Sequence, residues 1–264
     1  MARTARKTLK PVRPGLGIEA EYRRQLVALI DAMHRSVRRW ITAKYRANQP
    51  RIAQDATPSE ELRRTMAGLG KRWQDAFDKA AEGLAGYFAK DVDRRSTAEL
   101  HRILKKSGVT VKFTMTPAMR DVFDATINQN VALIKSIPKQ YLADVEGLVQ
   151  RSVQQGRDLE QLTNGLLDRY DITRKRAKLI ARDQNNKATA AFTRARRTEL
   201  GMFKAVWMHS SAGKELRPAH VAMNGKEFDI RKGMWDSHEK AWVQPGELIN
   251  CRCLSRPVVE GFTF

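Results

Sequence analysis

The step between apolar residues is what most constrains this chain. From Ile18, the residues Tyr22, Leu26, Leu29/Ile30, Met33, Val37, Trp40/Ile41 and Tyr45 recur every three or four positions. That spacing predicts a long amphipathic helix ending before Pro50, with Arg23, Arg24, Arg35, Arg38 and Arg39 on its solvent or partner side. Thr57 followed by Pro58 reads as an N-cap with proline in the first turn. It opens a second helix through Leu62, Met66, Leu69, Trp73, Phe77, Leu84 and Phe88. Gly68, Gly70, Gly83 and Gly86 either allow close packing there or mark a break. A short helix over Thr97–Lys106 should stop at Gly108, and alternating Val109, Val111, Phe113 and Met115 predict a short strand or extended connector. Thr116-Pro117 starts a helix running to Pro138, and another covers Gln140–Gln155 and stops at Gly156. Asp158 caps a short helix, and Thr173 caps a long one closed by Gly201. No internal repeat or sustained heptad is present.

The texture changes at both ends. Met1–Gly17 holds Arg3, Arg6, Lys7, Lys10 and Arg13 without an acid, together with Pro11, Pro14 and two glycines. So little apolar area predicts a mobile basic arm. Beyond Gly201, Phe203, Ala205 and Trp207 alternate, Asn224-Gly225 offers a tight turn, and Trp235, Trp242, Pro245 and Gly246 interrupt helical spacing. The expected fold class is mainly α: an elongated helical body with a small C-terminal α+β module. The expected domains are a flexible basic arm (1–17), a helical body (18–201) and the module (202–264).

Charge narrows the function. Lys and Arg number 49 against 29 Asp and Glu, a formal +20 in 264 residues. Such an excess points to a polyanionic partner. The most basic helix, from Thr173 on, carries Arg174, Lys175, Arg176, Lys178, Arg194, Arg196 and Arg197. With Arg3, Arg6, Lys7, Lys10 and Arg13, these are the candidate DNA-contacting residues. No zinc-finger spacing, RNA-recognition motif or recognition-helix unit suggests base readout. No run approaches the roughly 18 apolar residues of a membrane span, and the basic start lacks an apolar segment. The expectation is therefore no membrane partner, no signal peptide or anchor, and assembly in a reducing cytoplasm.

The module carries the distinctive motif. Trp207, Arg217-Pro218-Ala219-His220, Asn224-Gly225, Phe228, Gly233, Pro245-Gly246 and Asn250-Cys251-Arg252-Cys253 follow one another in an order and spacing that resemble the C-terminal region of phage Mu F-like minor head proteins. Leu179-Ile180-Ala181-Arg182 and the stretch Asn130–Ile137 add to the likeness, which covers roughly Val122–Val259. Asp183-Gln184 departs from it, since the family more often has threonine and glutamate there. The resemblance marks Trp207, Arg217, Gly225, Asn250 and Arg252 as structural motif residues. It implies a non-enzymatic virion protein of the phage head, made in the host cytoplasm and lying inside the head near the portal. It further implies portal protein and packaged double-stranded DNA as partners, major capsid or scaffolding protein as further candidates, and a part in head morphogenesis and genome packaging or ejection. A purely structural portal or head-to-tail connector without DNA affinity is the alternative.

His220, Cys251 and Cys253 pose a separate question. Imidazole and thiolates are good zinc ligands, and a closed site needs a fourth donor, for which His209, His238 and Asp229 are available. The other reading makes His220 a hydrogen-bonding residue, Asn250 a turn cap and the cysteines small buried side chains. A disulfide across one intervening residue would be strained. Zinc is thus the one cofactor in question. A metal-dependent nuclease built on His220, His238, Asn224 and Asn250 fits no known spacing cleanly. Arg217 and Arg252 are expected to pair with carboxylates or carbonyls.

Overall fold

A computed structural model of the chain describes residues 6–47, 58–155, 159–212 and 216–260. Arg3, the cap positions Thr57 and Asp158, and Gly156 lie outside the described residues. The elements in order are β1 (Lys7–Thr8), α1 (Leu16–Ala47), α2 (Pro58–Lys105), α3 (Pro117–Gln154), α4 (Leu159–Glu199), β2 (Lys204–Met208), α5 (Pro218–Ala222), β3 (Glu227–Asp229), β4 (Met234–Asp236), β5 (Ala241–Val243) and β6 (Leu254–Val259). The protein is mainly α with a small α+β end.

The helices are fewer and longer than the expected set. α2 runs unbroken through its four glycines, and a Cβ on any of them would meet nothing within 4 Å. They therefore serve neither as a break nor as close-packing sites. The expected short helix over Thr97–Lys106 is the end of α2, and the connector after Gly108 is extended without strand pairing. α3 passes through Pro138. Proline cannot donate to the preceding turn, and two carbonyls of that turn take side-chain donors: Gln74 Nε2 reaches Lys135 O at 3.3 Å and Arg176 Nη1 reaches Ser136 O at 3.3 Å. Thr173 lies inside α4 and is no cap, since its hydroxyl donates back to Arg169 O at 2.7 Å. Gly201, with φ +68°, closes α4 through the Met202 N–H to Arg197 O bond of 2.9 Å, a Schellman arrangement.

The chain forms two compact units, and each of α1 to α4 is shared between them. The all-helical unit comprises 21–85 and 128–180. It buries Leu26, Ile30, Met33, Val37 and Ile41 of α1, Leu62, Met66 and Phe77 of α2, Ile134, Ile137 and Tyr141 of α3, and Leu162 and Leu166 of α4. Polar bonds fix the helix registers: Tyr22 Oη to Asn130 Oδ1 (2.9 Å), His34 Nδ1 with Tyr141 Oη (2.9 Å), and Tyr170 Oη to Asp31 Oδ1 (2.7 Å).

The strand-bearing unit comprises 1–20, 86–127 and 181–264. Its main sheet has the order β1-β6-β2-β3, all antiparallel, with Lys7 opposite Val259, Ala205 opposite Pro257 and Ala205 opposite Phe228. One core cluster joins Ala205, Trp207, Phe228, Ile230, Met234, Val243, Cys251 and Cys253. A second joins Leu9, Val12, Leu100, Ile103, Leu104 and Val259. The mobile arm expected over 1–17 is thereby corrected for its described part. Lys7–Thr8 adds a strand to β6, the Leu9 amide donates to Pro257 O at 2.8 Å, and Leu9 and Val12 are buried. Two well-placed apolar side chains outweigh the polar composition around them. Nor does the structure separate an 18–201 body from a 202–264 module, because the module shares its unit with the first residues and with parts of α2, α3 and α4.

Candidate functional site

His220 comes from α5, a five-residue helix that Pro218 starts behind Arg217. Cys251 and Cys253 sit on the segment entering β6. All three are buried, and their donor atoms lie within 4.8 Å of one another. His220 Nδ1 is 3.5 Å from each sulfur. Its Nε2 stands 3.3 Å from Asp236 Oδ2, out of hydrogen-bond alignment. Asp236 Oδ1 receives the His238 and Glu239 amides at 2.9 and 3.2 Å. Burial pushes the Asp236 carboxyl up, but those amides and the neighbouring imidazoles outweigh it and hold it below the ordinary carboxylate value. The edge of Trp207 packs against the His220 ring, centroids 5.1 Å apart.

Of the residues available as a fourth donor, His209 reaches the cluster, its Nδ1 3.5 Å from Cys253 Sγ. His238 is exposed beside Glu239, and Asp229 is held by Arg231. The two thiols influence each other: hydrogen bonding from Cys253, aided by His220 and opposed by burial, lowers Cys251 to about 4. Cys253 is raised by its bond to Cys251, and burial adds to the shift.

The Asn-Cys-Arg-Cys turn is held by α4. Asn250 adopts φ 60°, a left-handed conformation that asparagine tolerates. Its amide donates to Asp183 Oδ1 at 2.7 Å, and its side-chain oxygen accepts Arg182 Nη2 at 2.7 Å. Asp183 also pairs with Lys187 at 2.9 Å, and Asn186 Nδ2 reaches Cys251 O at 3.3 Å. Asp183 and Asp236 are the site residues that sequence reasoning missed. Asp183 stood out only as a departure from the family's text, and a signal existed in its position one turn before Lys187. Arg217 donates to Ile249 O at 3.0 Å and Arg252 to Ala212 O at 2.8 Å, so both bind carbonyls. Gly225, at φ +79°, donates its amide to Trp207 O. Of the proposed nuclease set, Asn224 Oδ1 accepts the His209 amide and Asn250 Oδ1 accepts Arg182 Nη2.

The basic residues divide into two kinds. Arg196 and Arg197 are corrected from surface to interior, 4% and 1% exposed. Arg196 bonds to Thr114 O and lies 3.6 Å from Asp93 and 3.7 Å from Glu199. Arg197 donates to Ser255 Oγ at 2.6 Å and Lys204 O at 3.0 Å, and burial lowers its pKa to about 10. Arg194 is partly buried and Arg176 is bonded to Ser136. The C-terminal half of α4 is thus a post against which the sheet packs, which charge counting alone does not reveal. Arg174, Lys175 and Lys178 are exposed in the all-helical unit. Arg174 lies over the Tyr170 ring at 5.4 Å, Tyr170 stacks on His34 at 4.2 Å, and Arg35 and Arg38 act electrostatically on His34. Arg174 also stands 3.9 Å from Asp31 of α1, and Arg35 and Arg38 of α1 are exposed. In the strand-bearing unit Lys7, Lys10 and Arg13 are exposed, while Arg6 pairs with Glu227 and Glu260. No helix among the described residues is long and apolar enough to cross a membrane.

Residues 143–256 match the family model described as phage Mu protein F like protein. Over 97% of its length the chain is 30% identical to an uncharacterized protein of Haemophilus influenzae. It spans about half of that relative, 56% of its length. No solved structure matches.

Proposed function

We propose that this chain, phage Mu F-like over residues 143–256, is a minor head protein that acts without turnover in phage head morphogenesis. It lies near the portal inside the head and touches packaged double-stranded DNA without reading its sequence. The family match over 143–256 carries the head assignment. The exposed Arg174, Lys175 and Lys178 of α4 and the exposed Arg35 and Arg38 of α1 support the DNA contact. Such cations displace condensed counterions from phosphates, which yields affinity without base preference. The buried Arg196 and Arg197 are not part of that contact.

The assignment is tested in particles. Mass spectrometry of purified virions should find the chain in few copies, and deleting its gene should stop the production of infectious heads. Infectious particles lacking the chain overturn the head role. Binding of the purified chain to random-sequence duplex, steep in salt, is expected for the DNA contact. If the chain enters heads but binds no duplex at low salt, it is a structural connector of the portal region.

A further inference from the structure

The cluster of two thiols and two imidazoles in the strand-bearing unit is more than a packing detail. We infer that Cys251, Cys253, His220 and His209 are the four ligands of a structural zinc ion. The spacing carries this. Bonds of about 2.3 Å to sulfur and about 2.05 Å to nitrogen, opened to the tetrahedral angle, place ligand sulfur and nitrogen about 3.6 Å apart. The three sulfur–nitrogen separations here are each 3.5 Å. A single thiol–imidazole hydrogen bond would bring His220 Nδ1 to one sulfur, whereas it stands equally far from both. Cys251, Cys253 and His220 lie mutually within 4.8 Å, and His209, outside that set but 3.5 Å from Cys253 Sγ, would close on the ion as the fourth ligand.

The surroundings fit a thiolate-bound cation. The Gly246 amide points at Cys251 Sγ at 3.4 Å. With Nδ1 toward the ion, His220 turns Nε2 toward the buried Asp236 carboxylate 3.3 Å away, which a small ring rotation on metal binding would make the carboxylate partner of a ligating histidine. Three of the ligands are buried and all four places come from protein, so no position is left for substrate, and two sulfurs with two nitrogens in a tetrahedron select zinc. The ion would join the end of β2, the short α5 and the entry to β6, segments otherwise held around one core cluster of eight buried residues. Small cores of this kind gain most from such a staple.

The test uses the full chain purified under reducing conditions without added metal. Elemental analysis should give one zinc per chain. Exchange into Co2+ should produce the intense visible bands of a tetrahedral thiolate site. Asp236→Asn should keep the stoichiometry but bind about 10- to 100-fold more weakly, and His209→Asn should alter the cobalt spectrum. A folded chain without zinc and without cobalt bands overturns the site. Unchanged bands in His209→Asn overturn His209 as the fourth ligand. The cobalt spectrum of the unsubstituted chain decides the main point even where Cys251→Ser or Cys253→Ser fails to fold.

Discussion

Replacing Arg174, Lys175 and Lys178 together by glutamine tests the basic face quantitatively. All three are exposed, and such surface changes usually move stability by less than about 0.5 kcal/mol each. Arg174 adds its stacking on Tyr170 at 5.4 Å, an exposed cation–π contact of about 0.5–1 kcal/mol. The fold should therefore survive. If each cation neutralises one phosphate, the slope of log affinity against log salt becomes shallower by about 0.9 per residue, about 2.7 in all. Over a fourfold rise in salt, from about 50 to about 200 mM, the advantage of the unsubstituted chain then shrinks about 40-fold. Fluorescence anisotropy with a labelled random-sequence duplex reads this directly, and circular dichroism checks the fold. An unchanged slope in a folded variant refutes the assignment of this face to DNA.

The interior arginine should behave differently. Arg197→Met removes two charge-assisted hydrogen bonds of about 1.5–3 kcal/mol each and leaves Lys204 O and Ser255 Oγ without that donor, so Tm should fall with the DNA salt slope unchanged; a shallower slope at constant Tm would contradict this placement. Gly233 has φ +83°, and a Cβ there would stand 2.4 Å from Val243 O, so Gly233→Ala should cost more than about 2 kcal/mol in urea unfolding. Gly83→Ala, with nothing within 4 Å, should instead stabilise α2 by about 0.5–1 kcal/mol, and a loss would mean that this stretch is not helical. Burial, helped by Arg38 and opposed by Asp31 and Asp171, lowers the His34 pKa below its ordinary 6.5. The unfolded chain then binds the extra proton first, so stability is full above about pH 6.5 and falls as pH drops toward the folded value. Thermal melts from pH 7 to 5 should show that decline, and His34→Gln should flatten it; an equal decline in the variant assigns it to other groups.

Helix existence and the class of the fold were legible in the sequence because three- and four-residue apolar steps persist over tens of residues. Helix breaks were not. Pro138 and Thr173 carry the local chemistry of ends, yet α3 runs on through Pro138 with Gln74 and Arg176 from other helices bonded to the neighbouring Lys135 and Ser136 carbonyls, and Thr173 bonds within its own helix. Local preference yields there to tertiary contacts. In the site, the two cysteines and His220 stood out by donor chemistry, and the fold brought them together. His209 was one of three alternatives, since adjacency across 44 residues depends on how β2 and the entry to β6 align. Asp183 acts on Asn250, 67 residues along the chain, and the same holds for Arg197, whose partners include Ser255. A side chain's charge is written in the sequence, but its partner is not.

The pairing of Lys7 with Val259 has a consequence in time. β1 finds its neighbour β6 only when residue 259 has been made, 252 positions after residue 7 (259 − 7). Contacts this distant in sequence close slowly. All segments of the all-helical unit, 21–85 and 128–180, leave the ribosome before residue 181 does. That unit can assemble on the nascent chain while β1 waits, its edge unpaired and Leu9 and Val12 uncovered by Val259. Emergence of β6 is then the event that pairs β1, and until that moment β1 is open to capture by another strand.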